Sequence, residues 1–390
     1  MEREEGVMKR IIKALTLVLV MSGASMGANL EYPYIYKDPS VMGMGGAYTA
    51  VGGSVNSLFY NPAGLSDVNG DAGFEVTLLK VTGATSSKTV DFVNDFSDVM
   101  DIDNDTEQTK ALNDLILKYM GDNFHLDVQS LFLGVVKSTE NFGFGFTVVS
   151  SAQANFATHQ GAGTDGLVEV DAKAYGGVIG GFSKNFIDGK LKAGIGVKYL
   201  FAESVEHNFS TTEILDNTDN FTDYVNDNYV NSGSGVGFDI GFEYVPLEGS
   251  FWNPQFGISV LNVGDLKLGD AGTIPMSVNF GVALKPEFEG IKGFFKYPVV
   301  ALDIVDVTKN NGVDDDWGKR IRAGAKINIW DNRFTTFAVA TGLYQGYPTF
   351  GVDFRLGVFA LQFASYTEEV GAYAGQDEDR RYTGSVSVEW

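Results

Sequence analysis

From Leu191 to Tyr199 the chain alternates. Leu191, Ala193, Ile195, Val197 and Tyr199 fall on one face of an extended backbone, and Lys192, Gly194, Gly196 and Lys198 on the other. A period of two marks a strand. Arg320–Ile329 repeats the scheme, with Ile321, Ala323, Ala325, Ile327 and Ile329 set against Arg320, Arg322, Gly324, Lys326 and Asn328. Val236–Tyr244 does so again, with Gly237, Asp239, Gly241 and Glu243 on its polar side. Soluble sandwiches also alternate, but their polar faces meet water and their apolar faces share one core. Here the apolar faces are long, and the polar ones mix glycine with charges of both signs. That suits a barrel with lipid outside and a polar lumen.

The amino terminus reads as an export signal over residues 1–28. Lys9, Arg10 and Lys13 form a cationic start, Ala14–Met21 a short apolar core, and Ser22–Ala28 a run of mostly small residues, with cleavage expected after Gly27 or Ala28. The acidic stretch before Met8 does not suit a signal, which makes Met8 a candidate start. The apolar core is too short for a bilayer span, which takes roughly 20 residues. No later stretch offers 18 consecutive apolar residues. A chain exported without a membrane helix is either soluble or a β-barrel.

Fourteen strands are predicted, over 72–82, 124–137, 141–157, 166–186, 190–205, 233–246, 253–264, 274–287, 295–306, 318–330, 334–343, 348–356, 358–368 and 379–390. An even count fits a single-chain bacterial barrel. The even-numbered links include Ser138–Glu140, Ile187–Gly189, Asp331–Arg333 and Gly357. The odd links are generally longer, as in 83–123, 206–232, 307–317 and 369–378. Short turns at one end and long loops at the other are the barrel arrangement, and a sandwich has no reason to obey it. The fold class expected is therefore all-β, a 14-stranded antiparallel transmembrane β-barrel, with 72–390 forming the barrel. The last run puts Tyr382, Gly384, Val386, Val388 and Trp390 on one face and ends the chain on an aromatic, resembling the signal read by the outer-membrane assembly machinery. Within loop 83–123, Leu112, Leu115, Ile116, Tyr119 and Met120 recur at helical spacing with Thr106 as a cap. Val90, Phe92, Val93, Phe96, Val99 and Met100 form a looser amphipathic segment. Both read as a helical extracellular insertion packing over the barrel mouth.

Other chemistry is sparse. Glycine (48) far exceeds proline (9) and aromatics reach 13%, a composition of strands and turns, while the absence of cysteine removes disulfides and thiolate metal sites. A net charge of −22 argues against nucleic acid as a partner. His125, His159 and His207 read as scattered polar histidines rather than a zinc or catalytic site. Asp101-Ile-Asp103-Asn-Asp105 begins like a calcium loop, but Thr106 stands where glycine belongs and Leu112 where the bidentate acid belongs. It and Asp314-Asp315-Asp316 read as solvated acid, with calcium binding or lipopolysaccharide bridging left open. Phe142, Phe144 and Phe146 read as strand. Glu368-Glu369 is a paired carboxylate of the kind a hydrolase uses, and no serine–histidine neighbour supports that role. No enzyme activity and no cofactor are expected.

One stretch resists the strand reading. Residues 42–66 are uncharged, with Gly43, Gly45, Gly46, Gly52 and Gly53 permitting bends and Pro62 pushing Asn61 out of the helical region. Such a segment can fold compactly in a confined lumen. Gly43–Leu65, above all Tyr60-Asn61-Pro62-Ala63-Gly64, resembles the amino-terminal hatch of FadL/TodX-type outer-membrane transporters of fatty acids and hydrocarbons. The resemblance implies a 14-stranded barrel plugged by residues 29–71. Leu343–Gly351, Tyr366–Gln376 and Arg380-Arg381-Tyr382 are similar to the outer-membrane barrels labelled conjugal-transfer TraF-like. Within the transporters, apolar side chains beside the hatch bind the cargo. Here the lumen is expected to hold Lys192, Lys198, Asp239, Glu243, Asp303, Arg320, Arg322, Lys326, Asp353, Arg355 and Arg381, so no ligand-binding residue carries over. The resemblance implies passive, hatch-gated uptake of small hydrophobic molecules across the bacterial outer membrane, in contact with its lipids and lipopolysaccharide. A structural or adaptor barrel of a secretion or conjugal-transfer assembly stays open beside it.

Overall fold

The computed structural model describes residues 31–67, 73–160, 166–217, 220–286, 294–311 and 316–390. The expected export signal and Asp314-Asp315 lie outside them. The strands are β1 (Phe74–Ser86), β2 (Asn123–Ser138), β3 (Phe142–Gln160), β4 (Gly166–Phe186), β5 (Leu191–Ser210), β6 (Asn231–Tyr244), β7 (Pro254–Leu261), β8 (Leu266–Lys267), β9 (Thr273–Ile274), β10 (Ser277–Leu284), β11 (Phe294–Ile304), β12 (Ile321–Asp331), β13 (Thr335–Tyr344), β14 (Tyr347–Leu356), β15 (Phe359–Glu369) and β16 (Glu378–Glu389). Fourteen of them close an antiparallel barrel, while β8 and β9 form a separate ribbon. Closure joins β1 to β16, and at its end the Val76 and Trp390 amides each donate to the other's carbonyl at 2.9 Å.

The wall is inverted relative to a soluble protein. Ile195 and Phe201 are each 57% exposed and point outward, whereas Lys192, Lys198, Asp239, Glu243, Asp303, Arg320, Arg322 and Arg381 are buried inside. Lys326, Asp353 and Arg355 are half-buried there. Water offers no reason to expose the first set and hide the second; a hydrocarbon surround does. Phe142, Phe144 and Phe146 all face out. Exposed aromatics gather toward the short-turn end, among them Phe74, Phe186, Tyr244, Phe294, Trp330 and Trp390, as in an interfacial girdle.

The insertion after β1 is helical, Thr89–Met100 and Asp105–Lys118. Its Phe92, Phe96, Leu112, Leu115 and Ile116 pack with wall residues Phe124, Phe156 and Phe209. Its cap is Asn104, whose side chain accepts from the Glu107 amide, and not Thr106, which lies inside the first turn. Two further helices, Thr211–Asp216 and Phe221–Asn228, join this cluster; their short turns were hidden in a loop by its many polar residues. β7 ends earlier and β10 starts later than alternation suggests, because the chain between them turns inward as the β8–β9 ribbon against β6. An ideal Cβ on Gly233 would sit 1.8 Å from the Leu268 carbonyl oxygen, so glycine is required for that approach. The long-loop rule is not uniform: β13 and β14 are joined by Gln345-Gly346 alone, and the β3–β4 link 161–165 is shorter than the links 245–253 and 285–293 at the other end.

Candidate functional site: the filled lumen

Residues 31–67 run through the barrel interior. After an extended lead, Pro39–Gly43 is helical, capped by Asp38, whose carboxylate accepts from the Ser40 amide at 2.9 Å. Gly45, Gly46, Gly52 and Gly53 adopt positive φ of 66°, 74°, 61° and 85°, the bends their type permits. Gly43 does not bend the chain; it permits contact, since a Cβ there would lie 2.6 Å from the Gly351 Cα. Ser57–Tyr60 forms one more helical turn, and Pro62–Asp67 a 3-10 segment.

Polar anchors tie this segment to the wall. Lys80 reaches Asp38 at 2.5 Å, and Lys37 reaches Glu368 at 2.6 Å. Asp303 Oδ2 accepts from the Tyr48 and Thr49 amides, each at 2.7 Å. Lys326 donates to Ser40 Oγ at 2.6 Å and pairs with Asp353 at 2.5 Å. At the far end Asp67 pairs with Lys192, and Gln255 bridges Asp67 and Glu243 at 2.8 and 2.6 Å. Buried charges paired in this way fix position more than they add stability.

The lumen is not uniformly polar. Ile35, Tyr36, Val55, Leu58, Phe59 and Leu65 pack against inward-facing Leu131, Val136, Val149, Ile179 and Leu200 and against Leu266, Leu268 and Ile274 of the ribbon. Alternation gives β5 a polar inward face at Lys192–Lys198, and Leu200 interrupts it because the plug supplies its partners. Beside them, glycines on the inward face form slots. A Cβ on Gly194 would stand 2.4 Å from the Ala63 amide, on Gly257 2.3 Å from the Thr49 oxygen, and on Gly324 2.3 Å from the Met44 oxygen. The signal lay in the sequence, since Gly194, Gly241 and Gly324 recur on polar faces. Period alone does not distinguish a glycine that seats a backbone from one that merely faces water.

The Tyr60–Gly64 stretch sits where the segment meets β5 and β6. Asn61 is extended, φ −161° and ψ 108°, as the following proline dictates. Its Nδ2 donates to the Thr49 oxygen at 2.7 Å and to the Phe242 oxygen at 3.3 Å, and its Oδ1 accepts from the Ala63 amide at 3.1 Å. One side chain thus binds two parts of the plug and the wall. Pro62, Ala63 and Gly64 are buried, and the Tyr60 ring lies 5.3 Å from that of Tyr48. Tyr382 and Val386 face outward and Gly384 and Val388 are half-buried on the closing strand β16, and Trp390, just past its end, is exposed.

The remaining candidates are kept apart. His125 is buried, its Nδ1 2.6 Å from Asn155 Oδ1; His159 lies 2.8 Å from Glu169 and His207 3.0 Å from Glu213. Among the described residues no group of three His, Cys, Asp or Glu side chains is placed to hold a metal. Glu368 binds Lys37 and Gln345, while Glu369 accepts from the Gly371, Gly375, Gln376 and Asp377 amides and folds the last loop. The two carboxylates therefore do different jobs. Asp101 ends one helix and Asn104 starts the next. Asp316 accepts from the Gly318 and Ala374 amides at 2.8 and 2.6 Å, which hold its carboxyl below the usual range.

Two cavities flank this network. One of about 320 Å³ lies beside the last loop, where Phe124, Glu169, Asp377 and Arg381 are among its walls. The other, about 190 Å³, opens between the plug and strands β7 and β10–β13, walled by six aromatic rings, Tyr60 and Tyr344 among them, and by charged Lys37, Lys198, Asp303, Asp306 and Arg322.

A closed antiparallel barrel, apolar outside and filled by its own amino-terminal segment, is a plugged transmembrane barrel. No protein-family profile matches the chain, and no curated protein is similar to it. Among solved structures it is similar to the deltaS2S3 mutant of the TodX monoaromatic hydrocarbon channel, at 13% identity over 93% of this chain and 99% of that one, with a TM-score of 0.49. The CymD monoaromatic hydrocarbon channel (12%, 92% and 98%, TM-score 0.49) and the Ralstonia pickettii toluene transporter TbuX (13%, 93% and 98%, TM-score 0.47) are similar to the same degree.

Proposed function

We propose that this chain is a bacterial outer-membrane barrel for passive, plug-gated uptake of small hydrophobic molecules, with residues 31–67 as the gate and lipid and lipopolysaccharide as its surround. The observation that carries the reading is the aromatic cavity of about 190 Å³ where the plug meets the wall. A cavity of that kind binds apolar rings, and its boundary is the element that must shift for passage. Tyr60–Gly64 acts as the hinge point of the gate, and the β16 face ending in Trp390 as the mark read by the assembly machinery. The reading is a conduit and not an enzyme, because Glu368 and Glu369 are each committed to holding structure.

The test uses the purified barrel and a deletion strain. Saturable binding of toluene or a fatty acid, with slowed uptake on deletion, supports transport; absence of both rules it out. The second reading, a sealed adaptor barrel, is favoured by the plug's ion pairs to Lys80, Glu368 and Lys192. A stable partner recovered from cross-linked envelopes, with no solute flux, selects it.

A further inference from the structure

Arg322 is a buried lumenal cation that forms no ion pair among the described residues. It is 3% exposed, lies on β12 and forms part of the wall of the aromatic cavity. Its Nη1 donates to the Lys319 oxygen at 2.6 Å and the Ile321 oxygen at 3.1 Å, and its guanidinium carbon stands 4.0 Å from the Tyr344 ring centroid. Nε and Nη2 have no hydrogen-bond partner among the described residues, and no carboxylate lies within 4.0 Å of the group. Those two N–H groups share one edge of the planar guanidinium, the edge that takes a carboxylate through two parallel bonds.

The neighbouring charges are all engaged. Lys37 is held by Glu31 and Glu368, Lys198 by Asp239 at 2.9 Å, and Asp306 by Arg320 at 2.8 Å. Asp303 stands opposite Arg322 in the β11–β12 register, yet its Oδ2 binds the plug amides and its Oδ1 makes no hydrogen bond. Asp303 lies close enough to act on Arg322 through space but does not bond it, so the Nε–Nη2 edge of the guanidinium keeps its capacity for a bonded anion.

We infer that the cavity is a binding site for a small planar aromatic carboxylate, its ring against the tyrosines and its carboxylate on the Nε–Nη2 edge of Arg322. Size is compatible: a cavity of roughly 150 Å³ holds benzene, so about 190 Å³ admits one substituted ring. The inference rests on the uptake reading and sharpens its cargo from hydrophobic compounds at large to single-ring acids.

The experiment titrates the full-length barrel in detergent with benzoate, benzamide and toluene at pH 7, by calorimetry. Expected is saturable benzoate binding at least tenfold tighter than benzamide, which matches its shape without the charge. Arg322→Met should lower benzoate affinity at least tenfold and change toluene affinity less than twofold, and Arg322→Lys should recover part of the loss. Toluene binding without benzoate binding overturns the inference and leaves the uptake reading standing. Equal affinity for benzoate and benzamide, or an unchanged Arg322→Met affinity in a barrel that keeps its heat-modifiable mobility, overturns it too. If none of the three binds, the inference falls, and the uptake reading then stands or falls on the fatty-acid titration. The wild-type comparison decides the matter even if the variants do not fold.

Discussion

Gly241→Ala tests whether lumenal glycines seat the plug. An ideal Cβ at this position would stand 2.0 Å from Asn61 Oδ1 and 2.9 Å from both the Ala63 amide nitrogen and Pro62 Cδ. Ordinary contact begins near 3.4 Å, so the Asn61 turn must retreat by roughly 1.4 Å. The bond from Asn61 Nδ2 to the Phe242 oxygen, already 3.3 Å long, cannot survive that shift. The bonds to Thr49 and Ala63 lie within the plug and move with it. An unmade buried hydrogen bond costs about 1–3 kcal/mol. A loss of roughly 2 kcal/mol corresponds to about a thirtyfold change in the ratio of seated to unseated plug. Single-channel recording in planar bilayers should show open events rising by about that factor, while heat-modifiable mobility on gels reports an intact barrel. Gly176→Ala is the control, since its added Cβ meets nothing within 4 Å. If folded Gly241→Ala stays as closed as Gly176→Ala, the seating argument is wrong.

Asp303→Ala strips the acceptor from the Tyr48 and Thr49 amides, and at about 1–3 kcal/mol for each buried orphan it should raise protease cleavage within residues 44–52. Leu65→Ala, at a fully buried plug position, should destabilise the seated plug by about 2–5 kcal/mol, read as a lower midpoint for plug release in urea while the barrel stays folded. Outside the membrane, burial pushes the Glu213 carboxyl up, but hydrogen bonds from Tyr229, Tyr224 and His207 outweigh it and hold it below the ordinary value. A depressed carboxyl contributes stability above its unfolded pKa and loses it as pH falls through the folded one. The 211–228 helices should therefore become protease-sensitive only in acid below the ordinary glutamate range, and Glu213→Gln should remove the pH dependence. Trp390→Ala keeps both backbone bonds to Val76, so a fall in assembled barrel measured in cells would identify the ring itself as what the assembly machinery reads.

Alternation in the sequence determined which way each strand faces, because side-chain direction in an extended chain depends only on parity. The count of fourteen, the asymmetry of the links and the outward faces of Phe142, Ile195 and Trp390 follow from that local rule. Pro62 likewise dictated Asn61. The partners across the lumen were decided only by closure. Lys37 meets Glu368 and Arg381 meets Glu31 across more than three hundred residues, and no period relates them. The same holds for Gly194 and Gly241, which look alike with every other glycine until a plug backbone is laid against them. Arg322 shows the limit most plainly: its place on the inner face is written in parity, but its lack of a bonded carboxylate is known only once Asp303 has turned its Oδ2 to the plug.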